Sequence, residues 1–218
     1  MNLHDIKKIL FLDEKLPVRE EGIGYPRVEA ILNTFCELGH SVTFFPMHLS
    51  KNDPSIVSRF PGIEVIDRVY GSFEEFAKTN RTFYDAVFIS RPHNFRMSHK
   101  FLKKHFKKSL LIYDAEAVFY IREELRCKVK GLKSNSRRID RLKKSEFGLL
   151  RKADFIFTVS NLEKDIVSSA CGDIPVRVLS HCLRPGSRKK NSKTGKDCVF
   201  WAVFRFPSRP MRTLCFIF

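Results

Sequence analysis

Several things are missing from this sequence, and each absence excludes a class. No apolar run approaches the roughly 20 residues that a membrane-spanning helix needs. The first residues, "MNLHDIKKILFLDEKLP", hold a short apolar stretch followed by acids, so a signal peptide is not expected. The six cysteines (Cys36, Cys127, Cys171, Cys182, Cys198, Cys215) include no CxxC pair and no regular spacing. They read as free thiols of a reducing, cytoplasmic compartment. The histidines are scattered and no Asp-x-Asp occurs, so no metal is expected. One GxG occurs, but the full GxGxxG fingerprint of a dinucleotide loop does not.

Acids are also scarce: 24 stand against 40 Lys and Arg, a formal net charge of +16. The excess is uneven. "KFLKKHFKKS" (100–109) and "RCKVKGLKSNSRRIDRLKK" (126–144) are basic clusters, and from Arg184 onward nine basic residues meet one acid. Such surfaces attract polyanions: nucleic acid, anionic lipid headgroups or sugar nucleotides.

What is present is the material of a folded domain. The 218 residues are 43% hydrophobic and 29% charged, enough for one substantial core. Short apolar runs recur between amphipathic stretches. Strands are expected at 7–14, 40–47, 63–70, 84–90, 109–115, 153–160 and 175–180. Helices are expected at 25–39, 72–80, 96–107, 118–150 with a break near Gly131, and 161–171. In 25–39, Val28, Ile31, Leu32, Phe35 and Leu38 share one face, and Gly39 is placed to end the helix. The fold class that follows is α/β: a Rossmann-like parallel sheet of about seven strands with helices on both faces. Ligands of such sheets bind beyond the carboxyl ends of the strands. The segments there are "DEKLPVREEGIGYPR", "SRPHNFR", "YDAEAVFYIREE" and "VSNLEKD".

Together these segments resemble the N-terminal, acceptor-binding half of a GT-B glycosyltransferase of the retaining, family-4-like group. "LDEKLPVREEGIGYPRVEAILNTFCELGHSVTFFP" is similar to its first strand, Gly-containing loop, helix and second strand. "YDAVFISRPH", "LLIYDAEAVFYIREE" and "LLRKADFIFTVSNLEKDIV" resemble later elements in the right order. The likeness covers about residues 7–185. It implies a protein of the class that transfers a sugar from a nucleotide-sugar donor to a glycan or lipid-linked acceptor. No cofactor is implied, since the nucleotide-sugar is a substrate. The second domain, which holds the donor in that family, is not found in this sequence, so the chain alone is expected to be inactive.

Residues 1–185 are therefore expected to form the Rossmann-like domain. Residues 186–218 are expected to be a disordered basic and aromatic tail, a linker plus out-of-frame residues. Read one base out of frame, permitted codons of the tail give "LGGFPFPESPDADA", similar to the opening of the family's donor domain. A single-base change near codons 196–200 would produce this. The other reading is a genuine short tail that binds a membrane or partner through its Phe and Arg.

Candidate site residues follow from strand ends. Gly22 and Gly24 lie where backbone approaches a ligand, and in the family this loop meets acceptor and donor phosphates; a plain turn is the simpler reading. Arg27, at the helix start, is placed to meet an anionic acceptor or phosphate, or lies on a solvated face. Asp114 and Glu116 end the fifth strand, where many family members carry a His. Either could orient the acceptor hydroxyl or act as base; both also suit a helix start. Arg91 and His93 end the fourth strand and are assigned with the ligand-binding set. Arg122 is placed to pair with Asp114 or Glu116. Ser160 reads as a helix cap.

The basic stretch 100–108 interleaves five lysines with Phe101, Leu102 and Phe106, which suits peripheral contact with an anionic membrane at its inner face. A stand-alone binding or regulatory subunit is the alternative to an enzyme half. A nucleic-acid module is disfavoured, because the aromatics lie mostly in strands and no such motif is present.

Overall fold

The structure, a computed structural model, describes residues 6–18, 24–48, 54–66, 71–132, 136–181 and two short strands beyond. Seven strands form one parallel sheet: β1 (Lys8–Asp13), β2 (Ser41–Pro46), β3 (Ile63–Val65), β4 (Ala86–Ser90), β5 (Leu110–Ala115), β6 (Phe155–Thr158) and β7 (Val176–Val178). Their order is β3-β2-β1-β4-β5-β6-β7, the Rossmann-like arrangement expected. The chain winds outward from β1 to β3 and then returns to place β4 on the other side of β1.

Alternation along the strands divides the core in two. Ile9 and Phe11 of β1 face one side with Phe44, Phe88 and the apolar face of α1 (Tyr25–Glu37), namely Val28, Ile31 and Leu32. Leu10 and Leu12 face the other side with Phe45, Val87, Ile89 and Tyr113. That side is covered by α3 (Phe73–Thr79), α4 (Pro92–His105), α5 (Phe119–Val129), α6 (Ser136–Leu150) and α7 (Asn161–Cys171). Phe11 stacks between Phe44 and Phe88 at 5.7 and 4.9 Å, which joins three strands.

The element ends follow local chemistry. Gly39 has φ of +83° just past α1, a conformation that favours glycine. Gly131, at φ +61°, lies in the break between α5 and α6. Ser72 and Ser160 cap α3 and α7 by accepting from Glu75 N at 3.2 Å and Glu163 N at 3.3 Å. A short helix, α2 (Pro54–Val57), was not legible in the sequence.

Two expectations are corrected. The fourth helix begins at Pro92, not at residue 96, so His93 sits in its first turn rather than at the strand end. Pro at the first helical position is preorganised for this. The apolar residues of the basic stretch 100–108 turn inward: Leu102 and Phe106 are buried, and Phe101 packs on the same core.

Most of 186–218 lies outside the described residues. Within it, β8 (Val199–Ala202) and β9 (Leu214–Ile217) pair antiparallel as a separate ribbon. No helix among the described residues is long and apolar enough to cross a membrane.

Candidate functional site at the switch point of the sheet

The strand order reverses between β1 and β4, so the crevice beyond their carboxyl ends is the expected ligand position. Polar side chains converge there from three strands. Asp13 ends β1, Ser90 and Arg91 end β4, and Asp114 and Glu116 end and follow β5. Gly24 precedes α1 in the same region, whereas Gly22 lies outside the described residues.

Two arginines organise these acids in different ways. Arg27 is 1% exposed, neither on a solvated face nor open to a phosphate. It forms a two-pronged pair with Asp114: Nη1 with Oδ2, and Nη2 with Oδ1 at 2.7 Å. It also donates to the Leu179 carbonyl from Nε and Nη2, at 3.3 and 2.9 Å. Ser90 Oγ donates to Asp114 Oδ2 at 3.2 Å. The pair thus ties α1, β4, β5 and the end of β7 together. Arg122, placed by the sequence beside these acids, is instead exposed on α5. Asp114 and Glu116 are met instead by Arg27, in the first turn of α1, and Arg91, just past β4.

Arg91 stands in a half-buried ring of carboxylates. Its Nη1 donates to Glu14 Oε2 at 2.9 Å, and its Nε lies 3.1 Å from Asp13 Oδ1 and 3.3 Å from Glu116 Oε2. Its guanidinium lies 5.4 Å over the Tyr25 ring. Its backbone has φ of +74°, unusual for a residue with a side chain.

Beneath Arg91, Asp13 is fully buried. Burial pushes its carboxyl up to about 7; the Arg91 charge and the Glu14 N–H oppose this, and the nearby Glu116 and Asp114 add to it. Asp13 Oδ1 accepts from Glu14 N at 2.7 Å and from Asn94 Nδ2 at 3.2 Å. Burial lowers the tendency of His93 to protonate. Five buried side-chain atoms among the described residues lack a hydrogen-bond partner. Four of them are here: Asp13 Oδ2, Asn94 Oδ1, His93 Nε2 and Arg91 Nε. A buried polar atom left without a hydrogen bond calls for a local explanation, and a ligand-binding role is one such explanation.

Gly24 allows Glu116 to approach: a Cβ at position 24 would lie 2.0 Å from Glu116 Oε1. The start of α5 is closed to outside anions, because Glu146 accepts from Phe119 N and Tyr120 N at 2.8 and 3.1 Å. Glu163 accepts from Val118 N at 3.1 Å. Asp13, Glu14 and Asn94 were missed in the sequence. The signal for Asp13 was an acid ending an otherwise continuous buried run. Among the described residues, no group of three or more His, Cys, Asp and Glu has the arrangement to hold a metal ion.

No protein-family model matches the chain, and no curated protein does. Among the solved structures it is similar to are two at low similarity. One is a short-chain dehydrogenase/reductase from Veillonella parvula DSM 2008, with 11% identity over 71% of this chain and 69% of that one, at a TM-score of 0.45. The other is the glycosyltransferase UGT73P12 of Glycyrrhiza uralensis, complexed with glycyrrhetinic acid 3-O-monoglucuronide. Its identity is 11% over 80% of this chain at a TM-score of 0.44, and the chain spans about half of its length, 48%. Likeness at this level carries no argument about function; the parallel sheet itself defines the fold.

Proposed function

We propose that this chain is the acceptor-binding half of a GT-B glycosyltransferase. Its reaction class is sugar transfer from a nucleotide-sugar donor to a glycan or lipid-linked acceptor, and it needs a donor-binding domain to turn over. The observation that supports this reading is convergence: the segments that carry the sequence resemblance end at one crevice, the switch point of the sheet, and the unpartnered polar atoms gather there.

Within this reading the residues take different parts. Glu116, partly exposed, is the carboxylate that would orient the acceptor hydroxyl. Asp114 acts through Arg27 to hold the end of β5 in place. Arg91 and His93 border the acceptor, and Gly24 leaves room for the Glu116 carboxylate. Arg27 is a positioning residue, its charge being spent on Asp114. The pair of carboxylates capping α5 fits a half that does not itself hold the donor phosphates.

The test is ligand binding followed by amide NMR. Neutral saccharides should shift the amide resonances of Arg91, His93, Asn94 and residues 114–116, while NADH and NADPH should not. Binding of a nicotinamide dinucleotide at the β1–α1 turn would replace this reading with an oxidoreductase.

A further inference from the structure

The hairpin of α5 and α6 projects an unusual surface. The last half of α5 and the first half of α6 are almost entirely exposed; in residues 136–145 only Ile139 is buried. Each helix carries one stripe at the i, i+3, i+4, i+7 spacing that places residues on a common face. On α5 the stripe is Arg122, Leu125, Arg126 and Val129. On α6 it is Arg138, Arg141, Leu142 and Ser145, which line a shallow concavity. Leu125 is 55% exposed, Val129 86% and Leu142 36%, and Leu132, just past α5, is 51% exposed. These are four of the nine large hydrophobic residues exposed among those described.

One carboxylate joins the stripes. Glu123 Oε1 lies 2.8 Å from Arg126 Nη2 and 3.4 Å from Arg138 Nη2, so the arginines of both helices stand side by side. The same two helices and their junction also carry Lys128, Lys130, Arg137, Lys143 and Lys144 against the acids Glu123, Glu124 and Asp140, with Lys143 turned over the Tyr120 ring at 5.3 Å. Apolar and basic side chains therefore occupy the same outward surface.

We propose that this face docks on an anionic lipid surface, with Leu125, Val129 and Leu142 entering the headgroup boundary and the arginines pairing with lipid phosphates. Charge complementarity selects an anionic occupant. The aliphatic side chains select a bilayer over a nucleic acid, which would be met by aromatic stacking and phosphate contacts. The lysines of α4, whose apolar neighbours face the core, supply only long-range attraction. This docking does not depend on the sugar-transfer reading, since the hairpin tip lies outside the switch-point cluster.

Vesicle co-sedimentation of the purified chain tests it. The chain should bind phosphatidylcholine vesicles containing phosphatidylserine and not pure phosphatidylcholine. The triple variant Leu125→Gln, Val129→Gln, Leu142→Gln should bind on the order of tenfold more weakly, with its circular dichroism unchanged. Arg138→Gln with Arg141→Gln should also weaken binding by on the order of tenfold. Changing Lys100, Lys103 and Lys104 together to Gln should have the smaller effect. The proposal is overturned if anionic vesicles fail to bind at low salt, or if the apolar triple binds as well as the parent. It is also overturned if the α4 triple loses the most, or if single-stranded RNA binds in preference to vesicles.

Discussion

Arg27 and Arg91 stand at the same edge of the same sheet, and both face carboxylates. Arg27 is enclosed, and its guanidinium is matched to one acid and a carbonyl. Arg91 is partly exposed, shared among three acids, set on a positive-φ backbone, and surrounded by buried atoms without partners. An ion pair that meets its hydrogen-bonding needs internally is a structural joint. One that leaves them unmet, in the crevice where the sheet reverses, is suited to exchange partners with a ligand.

The largest way to break this comparison is at Arg27. Arg27→Leu leaves the Asp114 carboxylate buried with no cation, which should cost about 3–5 kcal/mol. Urea denaturation measures it. Replacing both, Arg27→Leu with Asp114→Leu, should recover much of the loss, because the desolvated charge is gone. If the single variant loses less than about 1 kcal/mol, Arg27 is not the joint described. If the single variant does not fold, the folded double variant still carries the test.

Asp13 sharpens the other side of the comparison. Its carboxyl is pushed from 3.8 up to about 7 in the folded protein. Between those values the unfolded chain has released the proton and the folded chain retains it. Stability is therefore fully held below about 4 and falls as pH rises toward 7. At about 1.4 kcal/mol per unit, the total is a few kcal/mol. Asp13→Asn cannot ionise, so its stability relative to the parent should improve by about 1–3 kcal/mol between pH 5 and about pH 8. Denaturation curves at the two pH values check this; a difference that does not change with pH would place the titration elsewhere.

The sheet was legible in the sequence because buried parallel strands are short, nearly continuous apolar runs; all seven were in place. Helix ends marked by Gly39 and Ser160 were legible because caps are local. The site was less so. Arg27 lies one turn before Ile31, on the apolar face of α1, which hinted at burial but not at a partner 87 residues away. Asp114 and Glu116 were recognised as strand-end acids, but their cations could not be: Arg27 and Arg91 reach them through the crossing order of the strands. Asp13 and Asn94 were passed over because each is an ordinary residue until the fold buries it.

The smallest effect should come at Gly24. Its φ of −76° suits any residue, so an added Cβ brings no backbone strain. The three nearest atoms belong to the end of the Glu116 side chain, with Oε1 at 2.0 Å from the added carbon. A flexible carboxylate can swing away, so Gly24→Ala should cost less than about 1 kcal/mol. The swing would break the 3.3 Å approach of Glu116 to Arg91 while leaving Arg27 and Asp114 untouched. Near-parental stability with weakened saccharide binding would separate the two arginines by function. A loss above about 2 kcal/mol would instead mean that Glu116 is fixed as firmly as Asp114, and that Arg91 too is a joint.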